Sequence, residues 1–192
     1  MSTIAVLTVP PKQAVPLNPK ELEQVLTGPI SVGQSLEGLL FGSHRDQIEA
    51  VAGGNKINIR DLSGRPDVSQ SKIPTVLHFF VRTSASKVTA YGVNFLITVP
   101  CVEPNGWILE NILTSKISEK TGKTLTGGVA QLRMESKPKT WNIKLEPGEN
   151  GIISIDFNAS EEIGELPDEQ QLRDELKVQF DAFLKFLDDL GL

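Results

Sequence analysis

Residues 118–128, SEKTGKTLTGG, are the stretch of this chain that comes closest to a chemical motif. The run Gly122-Lys123-Thr124 could end a phosphate-binding loop, in which backbone N–H groups and a helix N-terminus hold the phosphates. Such a loop has another glycine five residues before Gly122, where this chain has Ile117, and it has a strand before it and a helix after it. Here the helical pattern comes first and the strand pattern follows. We therefore interpret Gly122 as the residue just past the end of a helix, and we expect no nucleotide and no cofactor.

His78 and Cys101 are the other side chains that could do chemistry. We interpret the apolar run around His78 as a strand, where this histidine could act as a base if the fold brought Asp61 or Asp156 to it. Cys101 could serve as the nucleophile of such an enzyme if a helix N-terminus or a histidine lowered its pKa. The two histidines of the chain lie far apart and form no metal-binding spacing, so we expect no metal site. A packed histidine without a catalytic role is commoner, and an enzyme centred on His78 ranks last among our hypotheses.

A polar loop gathers four charged residues, Arg60, Asp61, Arg65 and Asp67. Loops carried by a rigid sheet are frequent binding elements, so this group could recognise an anion or a partner. Its charges cancel, however, and exposed ion pairs in a turn contribute little. A solvated turn with internal ion pairs is therefore the favoured interpretation, and partner recognition is the alternative.

The composition is typical of a soluble globular protein. Of 192 residues, 39% are hydrophobic and 22% are charged, which is enough for one buried core and short for two. We expect a single α+β domain over residues 1–192, with an extended, proline-rich segment at residues 1–18. The net charge of −5 opposes binding to nucleic acid or to an anionic membrane. The single cysteine, Cys101, excludes an internal disulfide and fits a cytoplasmic location.

Alternation of apolar and polar residues predicts the sheet. A first strand is expected at residues 3–9, and a hairpin at residues 47–62 turns at two adjacent glycines, Gly53 and Gly54. Residues 75–83 and 87–99 predict the strongest hairpin, with apolar side chains on both faces, as in a central strand pair. Three further strands, arranged as a meander, are predicted at residues 130–135, 141–145 and 153–157.

Apolar residues at helical spacing predict three helices. Asn18 can cap a short helix at residues 19–26, and a middle helix is expected at about residues 105–120. Glycines and a proline crowd residues 27–46, where we expect no regular structure beyond a short helical turn at residues 35–41. The result is an α+β fold, in which an antiparallel, meander-like sheet of about six to eight strands carries helices on one face.

The third helix, at about residues 167–190, is long and amphipathic. Its apolar residues follow spacings of four and three, so they form one stripe, and Leu184 and Phe186 widen it. A stripe of only two and a half heptads favours docking on the chain's own sheet over pairing with a second copy. Phe186 or Val178 could still project to a partner.

Three functions remain open from the sequence. The first is a non-catalytic domain that binds another protein or assembles with itself. The second is a carrier of a small apolar ligand, in which the sheet grips the last helix around a cavity lined by the aromatic residues Phe79, Tyr91, Phe95, Trp141 and Phe157. The enzyme is the third. The residues predicted to form a partner or ligand surface are Arg60, Asp61, Arg65, Asp67, His78, Tyr91, Phe180, Phe183, Phe186 and Leu187.

Overall fold

The structure is a computed structural model that describes residues 2–9, 18–65, 67–84, 87–113, 120, 124 and 126–192. For residues 2–7, 9 and 136 it describes the backbone alone. The predicted helix end at Gly122, together with Lys123, lies outside the described residues.

The described residues form one antiparallel sheet of nine strands, so the predicted α+β class is confirmed and the sheet is larger than the expected six to eight strands. In space the strands follow the order β2-β3-β4-β5-β1-β6-β9-β8-β7. The two edges of the sheet are therefore β2 and β7. The strands are β1 Ser2–Val9, β2 Ile30–Ser35, β3 Gly38–Ser43, β4 Ile48–Gly53, β5 Lys56–Asp61, β6 Lys87–Pro100, β7 Ala130–Ser136, β8 Lys139–Gly148 and β9 Ile152–Glu162.

Four α-helices are described: α1 Pro19–Leu22, α2 Ile73–Ser84, α3 Pro104–Asn111 and α4 Glu169–Asp189. A 3-10 turn at Val68–Gln70 precedes α2. Helix α4 begins with a capping box, because Asp168 accepts from the Gln171 backbone N–H while the Gln171 side chain accepts from the Asp168 N–H. Among the described helices, none has the length and apolar character that a membrane crossing requires.

The prediction of a strand at residues 75–83 is wrong, because these residues belong to α2. Buried residues of α2 include Ile73, Val76, Leu77 and Phe80, whose separations of three, one and three follow the helical period. Since Phe79 is buried as well, the run is apolar around most of the helix, and such a run does not distinguish a buried helix from a buried strand. Thus His78 lies on a helix, and β6 pairs with β1 and β9 instead.

The helical turn expected at residues 35–41 is also wrong. The chain here forms the β2–β3 hairpin, in which Ser35 pairs with Gly38 across a two-residue turn. Gly38 has a φ of +142°, and a side chain there would collide with the carbonyl oxygen of Ala52. Glycine is therefore required at this corner, and the glycines that suggested irregular structure shape a hairpin.

The strand register gives the sheet two distinct faces. On the face that carries α2 and α4, here called the helix face, one row of paired positions crosses from β7 to β2 and is mainly apolar. The corresponding row on the other face, here called the polar face, carries charged and amide side chains at most positions. The helix-face row includes Met134, Trp141, Ala159, Val93, Ile59, Ala50, Phe41 and Val32. The polar-face row includes Arg133, Asn142, Asn158, Asn94, Arg60, Glu49, Gly42 and Ser31.

The core is formed between the helix face and the helices. Phe183 of α4 lies against Phe95 and Phe157 of the sheet, with ring centroids 6.0 and 5.0 Å away. Arg173 of α4 donates to the backbone carbonyls of Ser69 and Ser71 at 3.2 and 2.7 Å, so the helix is also tied to the segment that precedes α2. The last helix therefore docks on the sheet of the same chain, as predicted.

Candidate functional site

The four charged residues of the predicted loop do not converge on a ligand site. Arg60 lies on the polar face of β5 opposite Glu49, whereas the Asp61 carboxylate is buried and accepts from Ser71 Oγ at 2.6 Å and from the Ser63 N–H at 2.9 Å. Asp61 therefore holds the chain between β5 and α2.

Asp67 and Arg65 form hydrogen bonds within the same loop. Asp67 caps the 3-10 turn, accepting from the hydroxyl of Ser69 at 2.6 Å and from the side chain of Gln70 at 2.8 Å. These hydrogen bonds, that from Ser69 above all, lower the pKa of Asp67. Arg65 Nη1 lies 3.4 Å from the carbonyl oxygen of Gln70. Among the described residues no ion pair joins two of these four charged residues, so hydrogen bonds hold the loop in place of the internal ion pairs that the solvated-turn interpretation expects.

His78 and Tyr91 do come together, in a cleft of about 790 Å³ between α2, β6 and the start of α4. The Nε2 of His78 is 2.8 Å from the carbonyl oxygen of Pro167. A carbonyl can only accept, so Nε2 carries the hydrogen and donates it. The histidine thereby ties α2 to the residue that precedes the cap of α4.

Beside this cleft, Lys139 is surrounded by three partners. Its Nζ is 2.7 Å from Glu161 on β9 and 2.7 Å from Glu175 on α4, and it donates to the hydroxyl of Tyr91 at 3.4 Å. Burial favours the neutral amine, but the hydrogen bonds to Glu161 and Glu175 outweigh it and raise the pKa of Lys139. Burial also raises the pKa of Tyr91. We call Tyr91, Lys139, Glu161 and Glu175 the ionic cluster.

The catalytic partners considered for His78 lie elsewhere. Asp61 is bound by Ser71 and Ser63, and Asp156 pairs with Leu96 and Lys144 on the polar face, on the other side of the sheet from α2. Cys101 follows the end of β6, ten residues beyond Tyr91, which at ~3.3 Å per residue is about 30 Å from the cleft. Asp61, Asp156 and Cys101 therefore do not join His78 in its cleft, whose described lining carries the carboxylates of Glu165, Asp168 and Glu175 instead.

The predicted apolar surface on α4 is largely core. Phe183 and Leu187 are buried, and Phe180 and Phe186 are partly buried against the same core. Phe180 lies 5.1 Å from Phe95, between ring centroids. Val178 is the most exposed apolar residue of α4, with 57% of its surface accessible to solvent.

The aromatic residues proposed to line a ligand cavity pack on one another. The ring centroids of Phe95 and Phe157 are 6.2 Å apart, and those of Trp141 and Phe157 are 6.0 Å apart. Phe79 contacts Phe80 within the helix layer at 5.7 Å. Phe95, Trp141 and Phe157 therefore pack together on the sheet, whereas Tyr91 lines the cleft that it shares with His78.

The β2–β3 hairpin exposes more apolar surface than the predicted site residues do. Most of the helix-face row is buried, as shown by Ala159, Val93, Ile59, Ala50 and Phe41. This burial ends at β2, where Val32 is 50% exposed. On the same hairpin, Leu36 at the turn is fully exposed and Leu39 is 44% exposed.

An open pocket of about 430 Å³ adjoins β2 on the polar face. Its floor is formed where Ser31 of β2, Gly42 of β3 and Glu49 of β4 pair side by side, and where Gly33 pairs with Leu40. Leu62, which is 44% exposed, borders it beyond the end of β5. We call this depression the β2 pocket. Ser31, Gly33 and Gly42 leave space that larger residues would occupy.

The β3–β4 turn closes one end of the β2 pocket with His44 and Gln47. The lining therefore combines apolar walls with a few polar groups, the usual composition of a site that takes an apolar group. This pocket is not predicted from the sequence, because its floor requires strands at residues 30–43, where none are expected. A signal was present for β2, where Ile30 and Val32 alternate with Ser31 and Gly33, but the consecutive apolar residues 39–41 of β3 do not alternate.

Within the part of the chain that the structure describes, no group of three histidine, cysteine, aspartate or glutamate side chains could hold a metal ion. No protein-family model matches the chain. No curated protein and no solved structure matches it either. Similarity therefore supplies no function for this chain, and the surface of the molecule is what bears on its function.

Proposed function

We propose that this chain is a non-catalytic protein-binding domain that accepts an extended segment of another protein as an additional strand beside β2. In strand addition, main-chain hydrogen bonds to a free sheet edge provide affinity, and pockets that receive alternate side chains provide specificity. The observation that carries the proposal is the exposure of β2, where every residue from Ser31 to Ser35 is exposed and Ile30 is half-buried. In the described residues β2 pairs on one side alone, with β3.

The sequence of β2 supports this role. An unpaired edge strand attracts other strands, and proteins usually protect such edges with charged residues or proline. Edge strand β7 follows this rule, because it carries Arg133 and Glu135. Strand β2, with the sequence ISVGQS, contains no charged residue and no proline. Of the two edges, β2 is therefore the one suited to receive a partner strand.

The surroundings of β2 support the same role. Val32, Leu36 and Leu39 expose apolar surface on the hairpin, and the β2 pocket, which Val32 also borders, opens on the polar face of the same strand. Exposed apolar residues that cluster indicate a contact surface more strongly than scattered ones do. A strand added to β2 would cover Val32 on one face and reach the pocket on the other.

A peptide library displayed on phage tests the proposal. We expect selection on the purified protein to enrich uncharged peptides rich in β-branched and aromatic residues, which suit an extended strand. Binding of the selected peptides, synthesised and titrated with the protein in NMR experiments, should shift the backbone amide signals of β2 and β3 most.

Two matched variants separate strand addition from general stickiness. Val32→Lys places a charge on the exposed edge, where it should abolish binding of the selected peptides. Val178→Lys changes a valine of similar exposure on α4 and should bind them as the wild type does. Equal binding by Val32→Lys and the wild type, or amide shifts that leave β2 unchanged, would contradict the proposal.

A further inference from the structure

The glycines of the β2 pocket are not required by the backbone. Neither Gly33 nor Gly42 has a positive φ, and a Cβ atom added at Gly33 would come no closer than 3.9 Å to Leu40. At Gly42 the nearest atom to an added Cβ would be the carbonyl oxygen of Ile48, at 4.0 Å. Both separations are ordinary van der Waals contacts, in contrast to Gly38 and Gly53, where a side chain would collide with backbone.

Glycine weakens the interior of a strand, because it loses more conformational entropy on folding and packs no side chain. Two such glycines face the same side of neighbouring strands, and neither turn geometry nor close packing explains them. What they provide is the volume of the pocket. A glycine inside a strand is typical of a place where another chain or a ligand approaches closely.

We propose that the β2 pocket receives one large apolar side chain, aromatic or leucine-like, from the segment that adds to β2. This inference rests on the proposed strand addition and names the residue that the site selects. A residue of the added strand placed opposite Ser31 or Gly33 lies on the polar face, where the pocket is. The apolar walls, Leu40 and Leu62, favour a hydrocarbon or aromatic group over a charged one.

A second copy of this chain fits the pocket poorly. If β2 paired antiparallel with β2 of another copy, as every described strand pair of this sheet does, the residues facing the pocket would come from the polar-face positions of that strand, which are Ser31, Gly33 and Ser35. All three are small, so no register of antiparallel self-pairing fills a pocket of about 430 Å³. The pocket therefore favours a segment of a different protein as the occupant.

A series of synthetic peptides tests the inference. The probe is the uncharged peptide Thr-Ser-Thr-X-Thr-Ser-Thr with blocked ends, in which X and the two serines share one face of an added strand. We expect peptides with X as phenylalanine or leucine to bind roughly tenfold more tightly than the peptide with X as alanine, because a large apolar side chain is buried. NMR titration measures these affinities and locates the amide shifts.

Filling the pocket gives the decisive variants. In Gly42→Val and Gly33→Val the new side chain occupies the pocket without a backbone collision, so the roughly tenfold preference for a large X should disappear. Both variants should remain folded, since valine suits a strand better than glycine does. The control, Thr98→Val, adds an apolar residue to an exposed position of β6 outside the pocket and should retain the preference.

The outcomes distinguish this inference from the function on which it rests. If all peptides shift β2 equally whatever X is, the pocket inference is wrong and strand addition stands. If the preference for a large X survives in Val32→Lys and no amide of β2 shifts, strand addition is wrong. Light scattering gives the third result, because a dimer of the wild type that Val32→Lys dissociates, without peptide binding, would overturn both in favour of a second copy.

Discussion

Lys139 of β8 and Glu175 of α4 approach to 2.7 Å, between Nζ and Oε1, and this contact ties the last helix to the outer half of the sheet. Glu161 of β9 holds the same amine at the same distance. Side chains of the three residues are between 15 and 21% exposed, so water screens the charges only partly. Lys139 therefore bridges the two carboxylates.

Replacing Lys139 with methionine should destabilise the fold by about 1–3 kcal/mol, because it leaves Glu161 and Glu175 facing each other without their cation. Chemical denaturation measures the change. Lys144→Met is the matched control, since Lys144 forms a 2.7 Å pair with Glu146 at a position where both side chains are 44% exposed. That control should cost at most about 1 kcal/mol. Equal losses of stability for the two variants would show that the ionic cluster stabilises the fold no more than an exposed ion pair does.

The same cluster predicts a loss of stability at alkaline pH. The pKa values of Lys139 and Tyr91 are both raised in the folded protein, so the folded state keeps protons that the unfolded chain releases. The stabilisation is complete below the ordinary pKa values of lysine and tyrosine, about 10.4 and 10, and is lost as the pH rises above them. Urea denaturation from about pH 9 to pH 11.5 should show this decline.

Two variants identify the groups that cause the loss of stability at alkaline pH. Lys139→Met and Tyr91→Phe should each make the decline shallower than in the wild type, because each removes one group that loses its proton. A decline of the same steepness in both variants would place its origin in other groups.

The strands that alternate strictly could be predicted from the sequence, and the contacts between elements could not. Strands β5 and β7–β9 each present a more buried face and a more exposed face, and their period of two appears directly in the sequence. Helix α2 has no solvent-exposed face of comparable width, so its apolar sequence pattern also fits a strand that is buried on both faces. The Lys139–Glu175 contact joins residues 36 positions apart, and it depends on the sheet register and on where α4 crosses the sheet.

The candidate site shows the same limit. His78 and Tyr91 were predicted separately and share a cleft, although their place in it depends on α2 being a helix. The β2 pocket requires Gly33 and Gly42 to lie on paired strands, and the glycine-rich composition of residues 27–46 hid that pairing. Glycines that bend the chain and glycines that leave space for a partner look alike in a sequence. Only the dihedral angles and the surroundings of each separate the two.

The contacts of Asp46 predict that the protein also loses stability at acid pH. Burial tends to raise the pKa of this carboxylate, but hydrogen bonds from the Thr27 N–H and from Lys72 outweigh it and lower the pKa. Lys72 Nζ lies 3.0 Å away, so Asp46 joins the segment before β2 to the start of α2. The stability that it contributes is present above the ordinary aspartate pKa of about 3.9 and is lost as the pH falls through the lower folded value.

Asp46→Asn should therefore cost about 1.5–3 kcal/mol at neutral pH, and the difference from the wild type should shrink as the pH falls below about 4. Denaturation curves at pH 7 and at pH 3 measure both values. Asp181→Asn, which removes the exposed partner of Lys177 on α4, is the control and should leave the free energy of unfolding nearly unchanged, because water screens this pair. A constant difference between Asp46→Asn and the wild type at both pH values would contradict the assignment.

Phe183 tests whether the apolar stripe of α4 serves the core or a partner. Its ring is fully buried against Phe95 and Phe157, so Phe183→Ala should cost about 3–5 kcal/mol of the free energy of unfolding, the sum of lost burial and the cavity left behind. Val178→Ala, on the exposed side of the same helix, should change stability by about 0.5 kcal/mol or less. Thermal and chemical unfolding of both variants measure the two effects. If Phe183→Ala were as harmless as Val178→Ala, α4 would not be part of the core, and its stripe would be free to bind a partner.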